Sequence, residues 1–543
     1  MLLSVLILFV SLCGAWTSYS WYCLLLNYLR ARKISIPLRV IPISHENLLW
    51  MVVDKKIFIP LFERLPSGTG NFTRFNWRGW EFTDKYRSHF EMGDLFMLVT
   101  PGRNWLYVCS PDILLDVFQR KSDFPRPLEL FEMVNVFGPN LSTTDGPTWQ
   151  KHRKITASCF NEQNNEIVWS ESVVQARDML RYWSTNSPVN STADDTRTLS
   201  LNVLSSAGFG KSYKFQGHNE ESLGNVATSY KESLQTILDN CILLMVLGTR
   251  LLSFEYLPNA LSATVTFKQY MTEVYENEKR AIAKGKSTGR NLMTSLIRAS
   301  QENGEPGQQD GGLTESEIYG NIFVFNFAGH DTTAHTLAFA VVLLAASPSV
   351  QDWISQELHC VLGDRPTEDW NYVHDFPKLK RCQAVLMETL RLYTPVPIAK
   401  SMGKEARQLR IRDRDIMLPE NTTAHPKYWG QDSLEWRPSR WINTADSDES
   451  LKNETITTPQ KGSFVAWSEG VRICPGKKFS QVEFVASIAG LFRDWRVEPL
   501  LQKGEDLRMA SKRVMELVEK DTGQVLLLQM LHPERAPLTW RKR

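Results

Sequence analysis

One stretch constrains the fold more than any other: the run from Thr314 to Ala346 is apolar on nearly every side of a helical wheel. Thr314 and Glu317 form a capping box at its start and Pro348 stops it, so the pattern predicts one unbroken helix of about 45–50 Å. A helix apolar all round must be buried, in a large protein core or in a bilayer. Asn321, Asn326, His330, Asp331 and His335 make a membrane span unattractive, because polar groups in hydrocarbon are costly. The expectation is a large, mainly helical body built around a central helix. With 543 residues and 42 % apolar content the chain can bury such a core, and this composition excludes a disordered or collagen-like chain. Lys and Arg number 62 against 60 Asp and Glu, so no bulk basic field points to nucleic acid.

The N-terminus is different in kind. No charged residue occurs from Met1 to Leu29, and Arg30, Arg32 and Lys33 follow at once. A cleaved signal peptide would want cations before its apolar run, and apolar and aromatic residues continue past any cut near Ala15. Residues 1–29 therefore read as a single membrane anchor, with the following cations favouring a cytoplasmic body. Residues 30–59, carrying Pro37 and Pro42, read as a linker, and 60–543 as the body. Eight cysteines without a CxxC pair suit a reducing compartment. The sequons at Asn71, Asn140, Asn190, Asn421 and Asn453 would go unused there, which makes glycosylation a test of orientation.

Past residue 60 no repeat or interdomain linker stands out. Leu95–Val108, with Pro101-Gly102 at a turn, reads as a small strand region, and Asp521-Thr522-Gly523 before Val525–Met530 as a hairpin signal. The polar stretches Gln301–Gly312 and Thr444–Gly462 read as surface loops.

The chemistry concentrates at Trp467-Ser-Glu-Gly470-Val-Arg472-Ile-Cys474-Pro-Gly476. A lone cysteine is usually a small buried hydrophobe. Here glycines on both sides let backbone approach a flat ligand, Arg472 adds a cation, and a helix beginning after Cys474 would favour a thiolate. Such a thiolate can be a nucleophile or a metal ligand. No neighbouring His or Asn suggests a protease dyad and no second Cys suggests zinc or iron–sulfur, so a thiolate on haem iron is the best reading.

This run resembles the haem-binding signature of the cytochrome P450 family, F-x-x-G-x-R-x-C-x-G, with Trp467 in place of the usual Phe. Within the long helix, Ala328-Gly329-His330-Asp331-Thr332-Thr333 is similar to the family's oxygen-activation groove. Taken by itself, an Asp-Thr-Thr can be a hydroxyl back-bonding site, but a buried Asp and a mid-helix Gly are two penalties in one turn. By the resemblance, Thr332 would hydrogen-bond the dioxygen being reduced and Asp331 would help relay protons. Glu388-Thr-Leu-Arg391 resembles the family's structural ion pair, whose third member would be Arg440. Trp149 and Arg153, four apart on a helix, would by the same resemblance meet one haem propionate, and Arg472 the other.

What the resemblance implies, over roughly residues 60–535, is a mainly α cytochrome P450 fold with small β-sheets, preceded here by one transmembrane helix. The implied activity is insertion of one oxygen atom into a small apolar molecule by a haem b enzyme of the endoplasmic reticulum membrane, its catalytic domain facing the cytosol. NADPH would supply electrons through a separate cytochrome P450 reductase, with cytochrome b5 a further candidate donor, because the chain carries no flavin or nicotinamide fingerprint. Lys477, Lys478 and Lys154 would steer an acidic partner, although plain solubility explains exposed lysines equally well. Phe131–Phe137, Phe323, Phe327 and Pro395–Ile398 are candidate pocket linings. Sequence details look like those of filamentous-fungal members, many of which tailor secondary metabolites. The alternatives are a reductase-independent haem-thiolate isomerase or dehydratase, a non-catalytic haem protein, and a secreted receptor with used sequons and no haem.

One stretch departs from the family. Pro419-Glu-Asn-Thr-Thr-Ala-His425-Pro426 reaches Trp429 about nine residues too soon, room for a strand of roughly 30 Å. The expectation is a chain shortened near Thr422–Thr423, with a pocket-bordering strand lost and its neighbours' backbone groups left unpaired.

Overall fold

The structure is a computed structural model that describes residues 2–53, 74–218, 226–241, 244, 258–286, 291–301, 312–401, 415–418, 425–444 and 451–543. The chain divides into two compact units. The first comprises Met1–Pro127, Val396–Leu434 and Pro459–Arg472; the second comprises Leu128–Pro395, Glu435–Thr458 and Ile473–Arg543.

The first unit holds helix α1 (Leu2–Arg32) and a sheet of β1 (Leu38–Val40), β2 (Leu95–Val99), β3 (Asn104–Val108), β4 (Ile398–Ser401) and β5 (Asp415–Leu418). Its order is β1-β2-β3-β5-β4. The β2–β3 hairpin turns at Pro101-Gly102, with Leu95 opposite Val108, and both strands are almost wholly buried, as continuous apolar strands covered on both faces are. Helix α1 runs through Arg30 and Arg32, past the end of the uncharged stretch. Its apolar side chains from Leu3 to Leu25 are mostly exposed, whereas Leu24 and Ala31 pack on Met97 and Val99. Asn27 fastens this end by donating to the carbonyls of Thr100 and Pro101. Among the described residues this is the one helix that is long, apolar and unburied enough to cross a membrane.

Strand β5 sits between β3 and β4, parallel to one and antiparallel to the other, so both neighbours are paired there. Residues 419–424, which contain the suspected junction, lie outside the described residues. His425 then caps a helical turn over Pro426–Trp429 by accepting from the Lys427 N–H.

The second unit is mainly helical. The elements that build the site are α2 (Gly146–Ala157), α3 (Glu162–Thr185), α4 (Thr192–Phe209), α5 (Pro258–Ala283), α6 (Glu315–Ala345), α7 (Lys380–Leu392) and α8 (Lys477–Phe492). Helix α6 is the central one, and its capping box is present: the Thr314 hydroxyl accepts from the Glu317 N–H and the Glu317 carboxylate from the Thr314 N–H. It packs against α4, α7 and α8, and α8 lies along α3. Burial on all sides, not membrane insertion, satisfies its apolar surface.

Three two-stranded sheets complete this unit: β6 (Ile442–Asn443) with β7 (Thr455–Ile456), β8 (Trp495–Pro499) with β11 (Leu538–Lys542), and β9 (Thr522–Gln524) with β10 (Leu528–Met530). The expected hairpin forms, but Thr522 and Gly523 lie in its first strand and the turn falls at Val525–Leu527. Strand β7 also interrupts Thr444–Gly462, expected to be loop throughout, while residues 302–311 of the other polar stretch lie outside the described residues. All eight cysteines are free.

Candidate haem-thiolate site

In the second unit, Cys474 stands at the foot of α8, whose N-cap is Gly476. The thiol is solvent-accessible, yet protein crowds it closely enough that desolvation raises it above the ordinary cysteine value. The Gly476 N–H, Arg153 and Lys477 oppose that rise by favouring the thiolate. A Cβ added at Gly476 would meet only Phe160 at 3.7 Å and the Cys474 sulfur at 3.9 Å, so protein atoms alone do not demand glycine there.

Trp149 and Arg153 share a face of α2, which begins at Asp145 and Pro147. Trp149 is buried and Arg153 half-buried. Among the described residues the Arg153 guanidinium meets no carboxylate; desolvation lowers it, and the Cys474 charge pulls the other way. A half-buried cation without an acid, beside an accessible thiol, fits a ligand that brings its own carboxylate to a metal held by sulfur. Haem has that chemistry.

Helix α6 supplies the second surface. From Glu317 to Ala345 every residue is buried except Ala328, Gly329 and Thr332, which lie one turn apart on one face. This opening is where the apolar cylinder meets free space. Thr332 donates its hydroxyl to the Ala328 carbonyl at 2.9 Å. Gly329 has a packing reason as well: a Cβ would lie 3.1 Å from Leu204 Cδ1, so α4 presses on the helix at this point.

Asp331 is buried, and its partner comes from α4. Arg197 Nε donates to Asp331 Oδ1 at 3.1 Å, and His335 Nε2 lies 3.4 Å from the same oxygen. Arg197 also donates to Gln529 on β10 at 3.1 Å. Burial alone would raise the Asp331 carboxyl, but His335, His330 and Arg197 outweigh it and hold the group well below the usual carboxylate range. Sequence reasoning missed Arg197 because its pairing is 134 residues distant in the chain, and an isolated Arg on a helix carries no signal.

Glu388 on α7 receives Arg391 Nε at 2.8 Å and Arg440 Nε at 2.8 Å, together with the Arg437 N–H and Trp441 Nε1. Glu388 and Arg391 are fully buried. In the first unit, Trp467 and Phe464 meet edge to face, Ser468 has φ 63°, and Gly470 has φ 72°. A Cβ at Gly470 would come within 2.9 Å of the Phe118 carbonyl oxygen, so this turn requires glycine. Arg472 ends the same unit, half-buried.

The aromatic candidates divide. Phe137, Phe267 and Phe323 pack together at 5.2–5.9 Å, so Phe323 is sealed core; Phe267 of α5 was not among the sequence candidates.

Comparison with known proteins agrees with this geometry. A family model described as Cytochrome P450 matches residues 69–526. The chain belongs to the cytochrome P450 family and is a haem-thiolate monooxygenase. It is 28 % identical to "Cytochrome P450 monooxygenase ORF6" of Penicillium roqueforti over 90 % of each chain. It is 29 % identical to a "Phomenoic acid biosynthesis cluster cytochrome P450 monooxygenase" of Leptosphaeria maculans, covering 91 % of this chain and 92 % of that one. A third relative, from Arthrobotrys oligospora, is 26 % identical over 96 % of each.

Proposed function

We propose that this enzyme is anchored in the endoplasmic reticulum membrane with its body in the cytosol. There it oxidises a small apolar metabolite of a fungal secondary pathway, using electrons that a separate reductase takes from NADPH. The observation that carries the reading is the one-turn opening at Ala328, Gly329 and Thr332 in an otherwise buried helix, beside an acid already held ionised. Bound through Cys474, haem supplies dioxygen reduction and transfer of one oxygen atom to the substrate.

The chain's own residues divide the remaining work. Arg153 and Trp149 take one haem carboxylate and Arg472 the other, while the Gly476 N–H steadies the sulfur. Trp467, Gly470 and Gly476 shape the loop that carries the thiolate, and Ala328 and Gly329 give the flat group room. The Thr332 hydroxyl, which donates to the Ala328 carbonyl here, would serve as the donor on the open face of α6, and Asp331 would relay protons to it. Lys154, Lys477 and Lys478 are exposed in the same unit and suit an acidic reductase or cytochrome b5 surface. Arg30, Arg32 and Lys33 after the apolar span support a cytosolic body. Asn140 is fully buried, so in the folded protein it would carry no glycan on either side of the membrane.

Membranes carrying the protein, with added reductase and NADPH, should oxidise apolar candidates taken from a metabolite comparison of deletion and parent strains. Turnover that persists without reductase would replace this reading with an isomerase or dehydratase. Cys474→Ser should abolish the red-shifted Soret band of the ferrous–CO complex; an unchanged band would move the iron ligand elsewhere.

A further inference from the structure

The segment before α2 lies directly on the first turns of α6. Gly138 has φ 141°, and a Cβ there would fall 2.3 Å from the Ser316 carbonyl oxygen; one at Gly320 would fall 2.3 Å from that of Gly138. Side-chain hydrogen bonds fix this close approach. Asn140 donates to the carbonyls of Val134 and Gly138, and the Leu141 N–H donates to Asn321 Oδ1 at 3.1 Å. Asn321 Nδ2 spends its two hydrogens on the Glu317 carbonyl at 2.7 Å and on His152 Nδ1 at 2.8 Å. His152 Nε2 lies 3.2 Å from Glu317 Oε1, and the other Glu317 oxygen takes the Thr314 cap and Lys151.

This bond set leaves one arrangement. His152 and Asn321 are fully buried, so each polar atom needs its partner. Nε2 must carry the proton toward the carboxylate, and Nδ1 must accept from Asn321. A proton on Nδ1 would oppose the Asn321 amide, and turning that amide would oppose the Leu141 N–H. An apolar residue would pack α2 on α6 as well, without so exacting a geometry. His152 follows Trp149 by three residues and precedes Arg153 by one, so holding its ring sets the rotation of α2 about its own axis.

We propose that neutral His152, joined to Asn321 and Glu317 of α6, is a positioning residue. Its clamp aims Trp149 and Arg153 at the haem edge and holds the Val134–Leu141 segment, with Phe137, against α6. The proposal rests on the haem reading of Arg153. Its measure is the rate at which haem passes from the purified holoenzyme to apomyoglobin, with helix content followed by circular dichroism.

His152→Leu should release haem about tenfold faster or more, as loss of a supporting partner does at metal centres, with helix content unchanged. His152→Gln keeps a donor and an acceptor and should recover most of the difference. Asn321→Leu should match His152→Leu and serves as the second variant should that one fail to fold. Arg153→Ala should also speed release, and adding His152→Leu to it should change little, since the histidine acts through the arginine. Parent-like haem retention in both His152→Leu and Asn321→Leu overturns the clamp, and so do effects that add in the double variant. Parent-like retention in Arg153→Ala removes the haem reading of that residue, and the proposal with it.

Discussion

Two of the buried acids that arginine holds in the second unit, Glu388 and Asp331, are built differently. Glu388 takes five donors on its two oxygens: two from Arg391, one each from Arg440 and Trp441, and the Arg437 backbone N–H. It has no capacity left for a proton or a water. At Asp331, Arg197 and His335 converge on one oxygen, Oδ1, and the acid lies beside the opened turn of α6. An acid saturated by fixed donors is a rivet; the one met at a single oxygen is, under the proposed function, the proton carrier. Burial and an arginine partner are common to both, so neither feature alone marks the working residue.

The largest effect should follow from breaking the rivet. Glu388→Ala strands two buried guanidinium groups, and removing one partner of a buried pair costs about 3–5 kcal/mol. Soluble holoenzyme should fall to a small fraction of parent levels, measured by Soret absorbance per milligram. Normal yields would show that Arg391 and Arg440 find other acceptors, and would weaken the contrast.

Asp331→Asn should leave haem content intact and lower turnover by about 100-fold, the low end of what a positioned acid contributes. Arg197→Leu should fall between the two, because it strands the Asp331 charge yet leaves His335 beside it. The pair sharpens the comparison if expression tracks Arg197 and turnover tracks Asp331. Equal losses of folded protein in both variants would make Asp331 a second rivet.

Thr332→Ala should retain haem and substrate binding and release more hydrogen peroxide per NADPH consumed, since the hydroxyl on the open face is gone. A parent-like ratio would assign Thr332 to helix packing alone.

Another buried acid, Glu483 on α8, supplies the smallest test. Burial pushes it up to about 8, with only the Ser200 hydroxyl opposing. Its folded value exceeds its unfolded one, so the native state binds the extra proton between about pH 4.5 and 8, and stability is lost as pH rises through that window. Glu483→Gln should flatten that part of the curve of melting temperature against pH, while Glu388→Gln should not reproduce the flattening. An unchanged slope in Glu483→Gln would show that the proton is not held there.

Much of this was legible in the residues. Thr314, Glu317 and Pro348 mark the ends of α6 because caps and stops are local chemistry, and its all-round apolar character requires burial whatever surrounds it. Pro101-Gly102 announced the β2–β3 hairpin for the same reason. Thr522-Gly523 misled, because a turn-forming pair can lie in a short strand when its neighbours supply the pairing. The vacant strand position expected from the short Pro419–Trp429 stretch falls on residues 419–424, outside the described residues.

What the sequence by itself determined is a set of short-range facts: a capped apolar helix, a lone cysteine between glycines, an uncharged terminal span, and acid–base spacings within one or two turns. These depend on groups a few residues apart, whose geometry the backbone sets. Arg440 on Glu388 was expected from the family resemblance; only the tertiary structure decided the other charges that meet across elements: Arg197 on Asp331, His152 on Glu317 and Asn321, and no carboxylate on Arg153 among the described residues. A buried charge takes whichever partner packing brings within hydrogen-bond reach, and that distance is a property of the packed helices, with no trace in either residue's neighbours along the chain.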